Sequence, residues 1–252
     1  MIRLRIPRRG APRPADGRMT VIDHLAELRT RLMISLAAVA VGMAVAFGLY
    51  NHILGFLVDP YCDVLPPGDP CTLYIRDPVE GFTTRLRVSG WTGLFLASPV
   101  VLWQLWRFVT PGLHPREKRY AIPFIFSSIV LFAAGGAVAL ITFPRALDFL
   151  VSVGGSEIEP LFSPGPYLRL VVLMVVAFGL AFDFPVLLVF LQLARVLSSR
   201  ALAAWRRQAA VGIVAAAAVL TPSQDPWSLL AMAGPMYVFY EASILIGRLL
   251  KR

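Results

Sequence analysis

The feature that most constrains this chain is a run of 25 residues, 170–194, that contains only one charged side chain. Five further apolar runs follow or precede it, in a chain of 252 residues that is 57% hydrophobic and 15% charged. A soluble domain of this composition would lack the polar surface to cover such segments, whereas a bilayer removes that requirement. About 20 apolar residues are enough to cross a membrane. The sequence therefore predicts an integral membrane protein.

The apolar runs predict helices and not strands, because backbone groups in lipid must be hydrogen-bonded within their own segment. The alternation over about ten residues that is typical of a membrane barrel is absent. The predicted spans are Leu32–Val58, Val88–Trp106, Ala121–Phe143, Leu170–Ala194, Gln208–Thr221 and Trp227–Gly247. The fifth would be only about 21 Å long, against a hydrocarbon core of about 30 Å. Prolines in or beside most spans predict kinks, so we expect an all-α, curved bundle of six transmembrane helices.

The basic residues predict the orientation of this bundle. Nineteen of the 24 lysines and arginines fall in the N-terminal segment, the 2–3 and 4–5 loops and the C-terminus, while the opposite side carries nine acids and five bases. The positive-inside rule then puts both termini in the cytoplasm, with the protein in the cytoplasmic (inner) membrane. The net charge of +9 is mostly a topology signal and gives little support to nucleic-acid binding.

The N-terminal residues predict how the chain is divided outside the spans. Residues 1–18 are basic and proline-rich with no apolar core, so we predict a disordered tail without a cleavable signal peptide, followed by one membrane domain, 19–252. Met19 is an alternative start of translation.

Cys62 and Cys71 both lie in the first outer loop, where a disulfide would stabilise the loop by about 2–3 kcal/mol in the chain-entropy model. The alternative is two free thiols.

Enzymatic functions find little support in the residues. The three histidines, His24, His52 and His114, are far apart and none lies deep in a span, which disfavours a metal centre or a buried Ser–His pair. A single intramembrane aspartate excludes an aspartyl dyad, and no GxxxxGK motif is present. We therefore expect no catalytic activity, no metal and no cofactor.

Two acids on the basic side are candidate binding residues. The segment "TVIDHLAELRTRL" predicts an amphipathic interfacial helix with Asp23, Glu27 and Arg31 along one polar stripe. Glu117 is the only acid in "RFVTPGLHPREKR". The alternative for each is an ordinary pair with its own neighbours, which on a helix surface is worth only about 0.3–0.5 kcal/mol.

Several motifs, in order along residues 19–250, give this sequence a recognisable pattern. They are "HLAELRTR" (His24–Arg31), "SPVVLWQLWRFVTPGLHPREKR" (Ser98–Arg119), "FGLAFDFPVLL" (Phe178–Leu188), "LTPSQDPWS" (Leu220–Ser228) and "PMYVFYE" (Pro235–Glu241). The chain resembles the TatC family, the multi-spanning receptor subunit of the twin-arginine protein translocase. The resemblance implies binding of twin-arginine signal peptides on folded export substrates and recruitment of single-span TatA- or TatB-type subunits. It also implies translocation driven by the protonmotive force and self-association within the bilayer.

The resemblance also implies which residues bind the signal peptide. Its twin-arginine contacts fall on Glu27 and Glu117, while Arg29, Phe108 and Pro111 match motif positions around the same pocket. The chemistry agrees, because a guanidinium is a rigid fork of donors that a carboxylate accepts bidentately, whereas lysine offers a point charge.

Asp183 occupies a position in "FGLAFDFP" that is usually glutamate in the family, so its reach is shorter by about 1.5 Å. A carboxylate inside a span is costly to ionise, and such residues mark functional sites. We expect a polar docking site for a partner helix here, with Gln104 as a neighbour and Glu241 either in the same cluster or at the interface. The alternatives are a neutral, structural acid or a proton-coupled secondary transporter that uses Asp183 and Glu241.

Overall fold

The computed structural model describes residues 21–62, 65, 71–109, 121–155, 162–193 and 195–249, and within these ranges all regular secondary structure is helical. The helices are α1 (Val21–Gly48), α2 (Tyr50–Cys62), α3 (Glu80–Val109), α4 (Ala121–Val153), α5 (Pro164–Leu193), α6 (Ser199–Ala204), α7 (Arg206–Leu220) and α8 (Pro226–Leu249). Five of these, α1, α3, α4, α5 and α8, are long and apolar enough to cross a membrane. The prediction of an all-α membrane protein is therefore confirmed for the described part of the chain.

Helix α7 corresponds to the short fifth span of the prediction. Its 15 residues make about 22 Å of helix, less than the hydrocarbon core requires. It lies against α8, with Arg206 and Glu241 paired at one end and Thr221 and Met232 in contact at the other. A sixth crossing at α7 stays a prediction.

Helices α1 and α3 run antiparallel and cross very closely. A Cβ on Gly42 would lie 2.5 Å from the Gly93 carbonyl oxygen, and a Cβ on Gly93 would meet the backbone of Met43. Small residues permit such approach, which is the usual means of packing helices in lipid. Because this pair fixes the register of α1 on α3, it also decides which polar side chains meet at the helix ends.

Helix α5 is the centre of the core. It packs against α4, where Gly135 approaches the Phe178 backbone and Gly179 approaches the Phe132 ring, and against α8 on another face. The fully buried Phe143 and Phe178 belong to one apolar cluster that extends through these helices. By contrast, only 6% of the apolar window of α1 is buried, and α1 packs mainly on α3, so α1 stands at the edge of the bundle.

The alternating helix directions separate two ends of the molecule. The basic end, where α1, α4 and α7 begin and α3, α5 and α8 finish, carries Arg29, Arg31, Arg107, Arg195, Arg200, Arg206, Arg207 and Arg248. The acidic end, where α3, α5 and α8 begin, carries Asp59, Asp77, Glu80, Asp148 and Asp225.

The predicted first span, Leu32–Val58, is wrong in its C-terminal limit. The structure divides this run into two helices, since α1 ends at Gly48 and α2 begins at Tyr50. The Arg85 guanidinium donates to the Phe47 carbonyl oxygen at 3.0 Å and lies over the Phe47 ring, 4.2 Å from its centroid. A side chain that takes a carbonyl from the helical ladder is a known cause of bending. The uncharged runs also underestimate the lengths of other helices. Helices α3, α4 and α5 continue beyond the runs and include arginines there.

A cap closes the acidic end. Cys62 and Cys71 form a disulfide that ties the end of α2 to the segment before α3. Tyr74 donates its N–H to the Phe162 carbonyl at 3.0 Å, and Glu80 accepts the Gly165 N–H at 3.0 Å. The cap therefore links the starts of α3 and α5.

Candidate functional site

The polar stripe on α1 faces α3 at the basic end. Arg31 donates through Nη2 to Glu27 Oε1 at 2.9 Å and through Nη1 to Gln104 Oε1 at 3.0 Å. The i,i+4 spacing brings the first pair together on one helix face, and the close α1–α3 crossing supplies Gln104. The planar guanidinium suits this bridge, since its fork serves two acceptors at once.

Glu27 keeps one acceptor position open. Its Oε2 is buried and has no hydrogen-bond partner among the described residues, although its Oε1 is held by Arg31. The Glu27 side chain as a whole is 20% exposed, whereas Oε2 itself is buried, so the carboxylate is partly desolvated. A buried, unsatisfied carboxylate oxygen is costly, and a donor from a bound ligand would remove that cost.

Two rings stand next to this carboxylate. The His24 and Phe108 rings are stacked, with centroids 4.4 Å apart and an angle of 18° between their planes. His24 precedes Glu27 by three positions and so lies on the same face of α1. We call the set of His24, Glu27, Arg31, Gln104 and Phe108 the α1–α3 polar site.

The structure brings together some of the residues that the sequence predicts and separates others. Glu27 and Phe108 meet at the α1–α3 polar site. Arg29 is exposed and, two positions from Glu27, lies about 200° around α1 from it, so the structure does not bring it to this face. Pro111 and Glu117 lie outside the described residues.

Asp183 lies within α5 and is paired with α4. Ser128 donates its hydroxyl to Asp183 Oδ2 at 2.8 Å, while Asp183 Oδ1 is buried and has no partner among the described residues. Asp183 also lines a cavity of about 540 Å³ between α5, α7 and α8. The cavity is lined by Leu180, Ala181, Asp183, Phe184, Leu187, Ala209, Gly212, Ile213, Ala216, Leu220 and Met236. We call it the Asp183 cavity.

The wall that α7 contributes to this cavity is made largely of small residues. Ala209, Gly212 and Ala216 recur at spacings of three and four and therefore share one face. Such a face lets another helix approach closely in lipid. The α7 wall of the cavity therefore offers little side-chain bulk at these three positions.

The two expected neighbours of Asp183 have other partners. Gln104 bonds Arg31 on α1, because the α1–α3 crossing directs it toward α1. Glu241 accepts from Arg206 at 2.7 Å, with both side chains well exposed, so it reaches the interface at the basic end. No hydrogen bond or ion pair of the described residues connects either of them to Asp183.

Sequence reasoning missed a second buried carboxylate. Asp225 is completely buried; it accepts the Ser223 hydroxyl and, at 2.8 Å, the Ser228 N–H. It caps α8, and Pro226 occupies the first helical position, where its missing N–H costs nothing. The Asp–Pro dipeptide before an apolar run was the available signal. This carboxylate is satisfied and has a structural role.

Comparison with known proteins agrees with this architecture. A family model described as the Sec-independent protein translocase protein (TatC) matches residues 23–235. Proteins named Sec-independent protein translocase protein TatC are similar over almost the whole chain. That of Frankia casuarinae is 39% identical over 241 residues, which are 92% of this chain and 66% of the Frankia protein. That of Magnetococcus marinus is 39% identical over 238 residues (94% and 87%), and that of Aquifex aeolicus 36% over 237 residues (93% and 97%).

Solved structures show the same fold. Two crystal structures of a twin arginine translocase receptor TatC, one of them in DDM, each match this chain with a TM-score of 0.72 and 36% identity. The matches cover 89% and 91% of this chain and 99% and 100% of the solved chains. Family model, relatives and structures thus agree over nearly the entire membrane domain. The chain belongs to the TatC family of Sec-independent protein translocase proteins.

Proposed function

We propose that this protein is the core subunit of a twin-arginine translocase that binds twin-arginine signal peptides of folded export substrates at the basic end of the bundle. In this proposal the protein crosses the cytoplasmic membrane six times, with both termini in the cytoplasm. It recruits single-span partner subunits, and the protonmotive force drives the passage. The solved relatives are described as twin arginine translocase receptors, which supports the assignment.

The observation that carries the proposal is the hydrogen bonding of the two Glu27 carboxylate oxygens. Its carboxylate is held in place by Arg31 through one oxygen, while the other oxygen is buried and unpartnered among the described residues. In this proposal an arriving guanidinium donates to that oxygen once the atoms that cover Oε2 move aside, while Arg31 stays on Oε1. Charge-assisted bonds of this kind are roughly twice as strong as neutral ones. Phe108, stacked on His24 beside it, offers a flat surface for the aliphatic part of the ligand.

Glu117 completes the proposed recognition of two consecutive arginines. In the sequence Glu117 falls between α3, which ends at the basic end, and α4, which begins there. The resemblance of its motif to the TatC family implies the contact to the second guanidinium. A single carboxylate with one free oxygen serves one arginine, so a second acid is required for the pair.

The proposed site for a partner subunit is the Asp183 cavity. It combines apolar walls, a small-residue face on α7 and one carboxyl oxygen without a partner among the described residues. A single-span helix with a polar side chain at the matching depth fits these features. The exposed outer face of α1 would then face lipid or another copy of the chain.

A proton-coupled transporter has no comparable support. That alternative requires a relay between Asp183 and Glu241, and Glu241 is paired with Arg206 at the basic end. The α1–α3 polar site has no role in it.

The proposed receptor function is tested by peptide binding to the detergent-purified full chain. A twin-arginine signal peptide is compared with a twin-lysine version on the wild type, Glu27→Ala, Glu117→Ala and the control Asp148→Ala, which removes an exposed acid at the opposite end. We expect arginine-selective binding that is lost in the first two variants and kept in the control. Equal binding of both peptides, or equal losses in all three variants, would contradict the proposal.

A further inference from the structure

The outer surface between α3 and α5, near the acidic end, contains a second concave site. A groove of about 440 Å³ is lined by Thr84, Arg87, Val88, Trp91, Gly165, Leu168, Arg169, Val172 and Leu173. It has no connection with the α1–α3 polar site or with the Asp183 cavity, whose lining residues are different. We call it the α3–α5 groove.

Two arginines from different helices face this groove. Arg87 and Arg169 are both exposed, and neither makes an ion pair or hydrogen bond that the described residues show. Their helices carry no carboxylate into the groove. The adjacent carboxylate, Glu80, already accepts backbone N–H groups of Arg76 and Gly165. These bonds leave Glu80 ionised, so among the described residues two guanidinium groups stand against one adjacent carboxylate, and the groove has a net positive charge.

The depth of these arginines makes that charge costly without a partner. Arg87 lies seven positions after the start of α3 and Arg169 five after the start of α5, which correspond to about 10 Å and 8 Å of helix. The interfacial layer is only about 5–8 Å thick on each side. Both guanidinium groups thus sit near the boundary of the hydrocarbon, where the phosphates of the lipid headgroups are the nearest anions.

The remaining lining suits the rest of a lipid molecule. Val88 and Leu168 are 2% exposed and form an apolar floor, while Trp91 and Leu173 are 42% and 37% exposed at its sides. Trp91 lies one turn deeper than Arg87, about 6 Å further along α3, and therefore adjoins the region that the acyl chains of a lipid occupy. A free phosphate ion gains nothing from such walls, whereas the acyl chains of a phospholipid, joined to the phosphate through glycerol, would pack along them by van der Waals contact.

From these observations we infer that the α3–α5 groove is a binding site for one anionic phospholipid. Arg87 and Arg169 bind the phosphate diester from two sides, and the acyl chains follow Trp91, Val172 and Leu173 toward the bilayer centre. Guanidinium forks match phosphate oxygens bidentately. A lipid in this position would also brace α3 against α5 below the cap that Glu80 and Gly165 form.

The inference is tested by lipid titration of the purified full chain, with bound lipids counted by native mass spectrometry. Phosphatidylglycerol is compared with phosphatidylcholine, and glycerol phosphate and inorganic phosphate are added as competitors. The variants are Arg87→Gln and Arg169→Gln, separately and combined. Arg145→Gln is the matched control, since it removes an exposed arginine of α4 at the same end but outside the groove.

We expect one phosphatidylglycerol to bind at least about tenfold more tightly than phosphatidylcholine, because both carry the phosphate diester but only phosphatidylcholine adds a cation, which is repelled by the two guanidinium groups. Each groove variant should lose most of that preference, and Arg145→Gln should keep it. Equal binding of the two lipids, or an equal loss in the control, would overturn the inference. Displacement of the lipid by inorganic phosphate at similar concentration would show a free-anion site and would equally overturn it. Thermal unfolding of each variant separates loss of binding from loss of fold.

Discussion

Arg31 of α1 and Gln104 of α3 are joined by a hydrogen bond of 3.0 Å at the basic end of the bundle. The same guanidinium holds Glu27 at 2.9 Å, so one side chain fixes both the helix pair and the candidate ligand-binding carboxylate. The carboxylate is therefore oriented by a contact between helices and not by its own helix alone.

This bridge predicts a measurable coupling between Arg31 and Gln104. Arg31→Met leaves two partly buried acceptors without their donor, which costs about 1–3 kcal/mol. Gln104→Met alone removes one acceptor, and the double variant should be more stable than the sum of the single effects predicts, by about 1 kcal/mol. Reversible unfolding in mixed micelles measures this cycle. Strict additivity would mean that the bond contributes nothing to stability.

The α1–α3 crossing gives a second prediction. A Cβ at Gly93 would meet the Met43 backbone, whereas a Cβ at Gly90, on the same helix, would find nothing within 4 Å. Gly93→Ala should therefore destabilise the protein by about 1–3 kcal/mol through overpacking, and Gly90→Ala should not. Because the shifted α1 carries Glu27 with it, Gly93→Ala should also weaken binding of the twin-arginine peptide.

Thermal unfolding and peptide binding, measured on the same preparations, check this pair of variants. Similar behaviour of Gly93→Ala and Gly90→Ala in both measurements would contradict the role of the close crossing.

Asp183 gives a third prediction, which separates docking from proton transfer. Asp183→Asn keeps polar atoms at the cavity, whereas Asp183→Leu removes them. If the carboxyl group docks a partner helix by hydrogen bonding, Asn should retain most of the association and Leu should weaken it about three- to twentyfold, as for one polar contact in lipid. Co-purification with a single-span partner subunit measures this. A proton relay would instead be lost in both variants.

The matched control for Asp183 is Thr142→Val on α4. The Thr142 hydroxyl donates only to carbonyls of its own helix, those of Val138 and Ala139, so its loss should leave partner association unchanged. Normal association in both Asp183 variants would remove the docking proposal.

The sequence predicted more of the fold than of the contacts between helices. Hydropathy located the membrane-spanning helices, because the bilayer requires a continuous apolar length regardless of what each helix contacts. It missed the break between α1 and α2, beside which Arg85 from a different helix bonds the Phe47 carbonyl. It also assigned Gln104 to Asp183, since periodicity gives the face of a residue but not the rotation of one helix against another. The Gly42–Gly93 crossing sets that rotation, and no local pattern states which glycines meet.

The disulfide gives the last prediction. Cys62 and Cys71, nine positions apart, are bonded in the structure, and both lie on the side that the charge distribution predicts to be outside the cytosol, where disulfides persist. Thiol labelling of the denatured protein should find no free cysteine without reductant and two with it.

The double variant Cys62→Ser, Cys71→Ser should lower the stability of the cap by about 2–3 kcal/mol in the chain-entropy model. Since Tyr74 and Glu80 tie the same segment to α5, the loss should appear as faster proteolysis near residue 71, while peptide binding at the opposite end is unchanged. Two labelled thiols without reductant would show that the bond does not form, and equal proteolysis rates would show that the hydrogen bonds hold the cap without it.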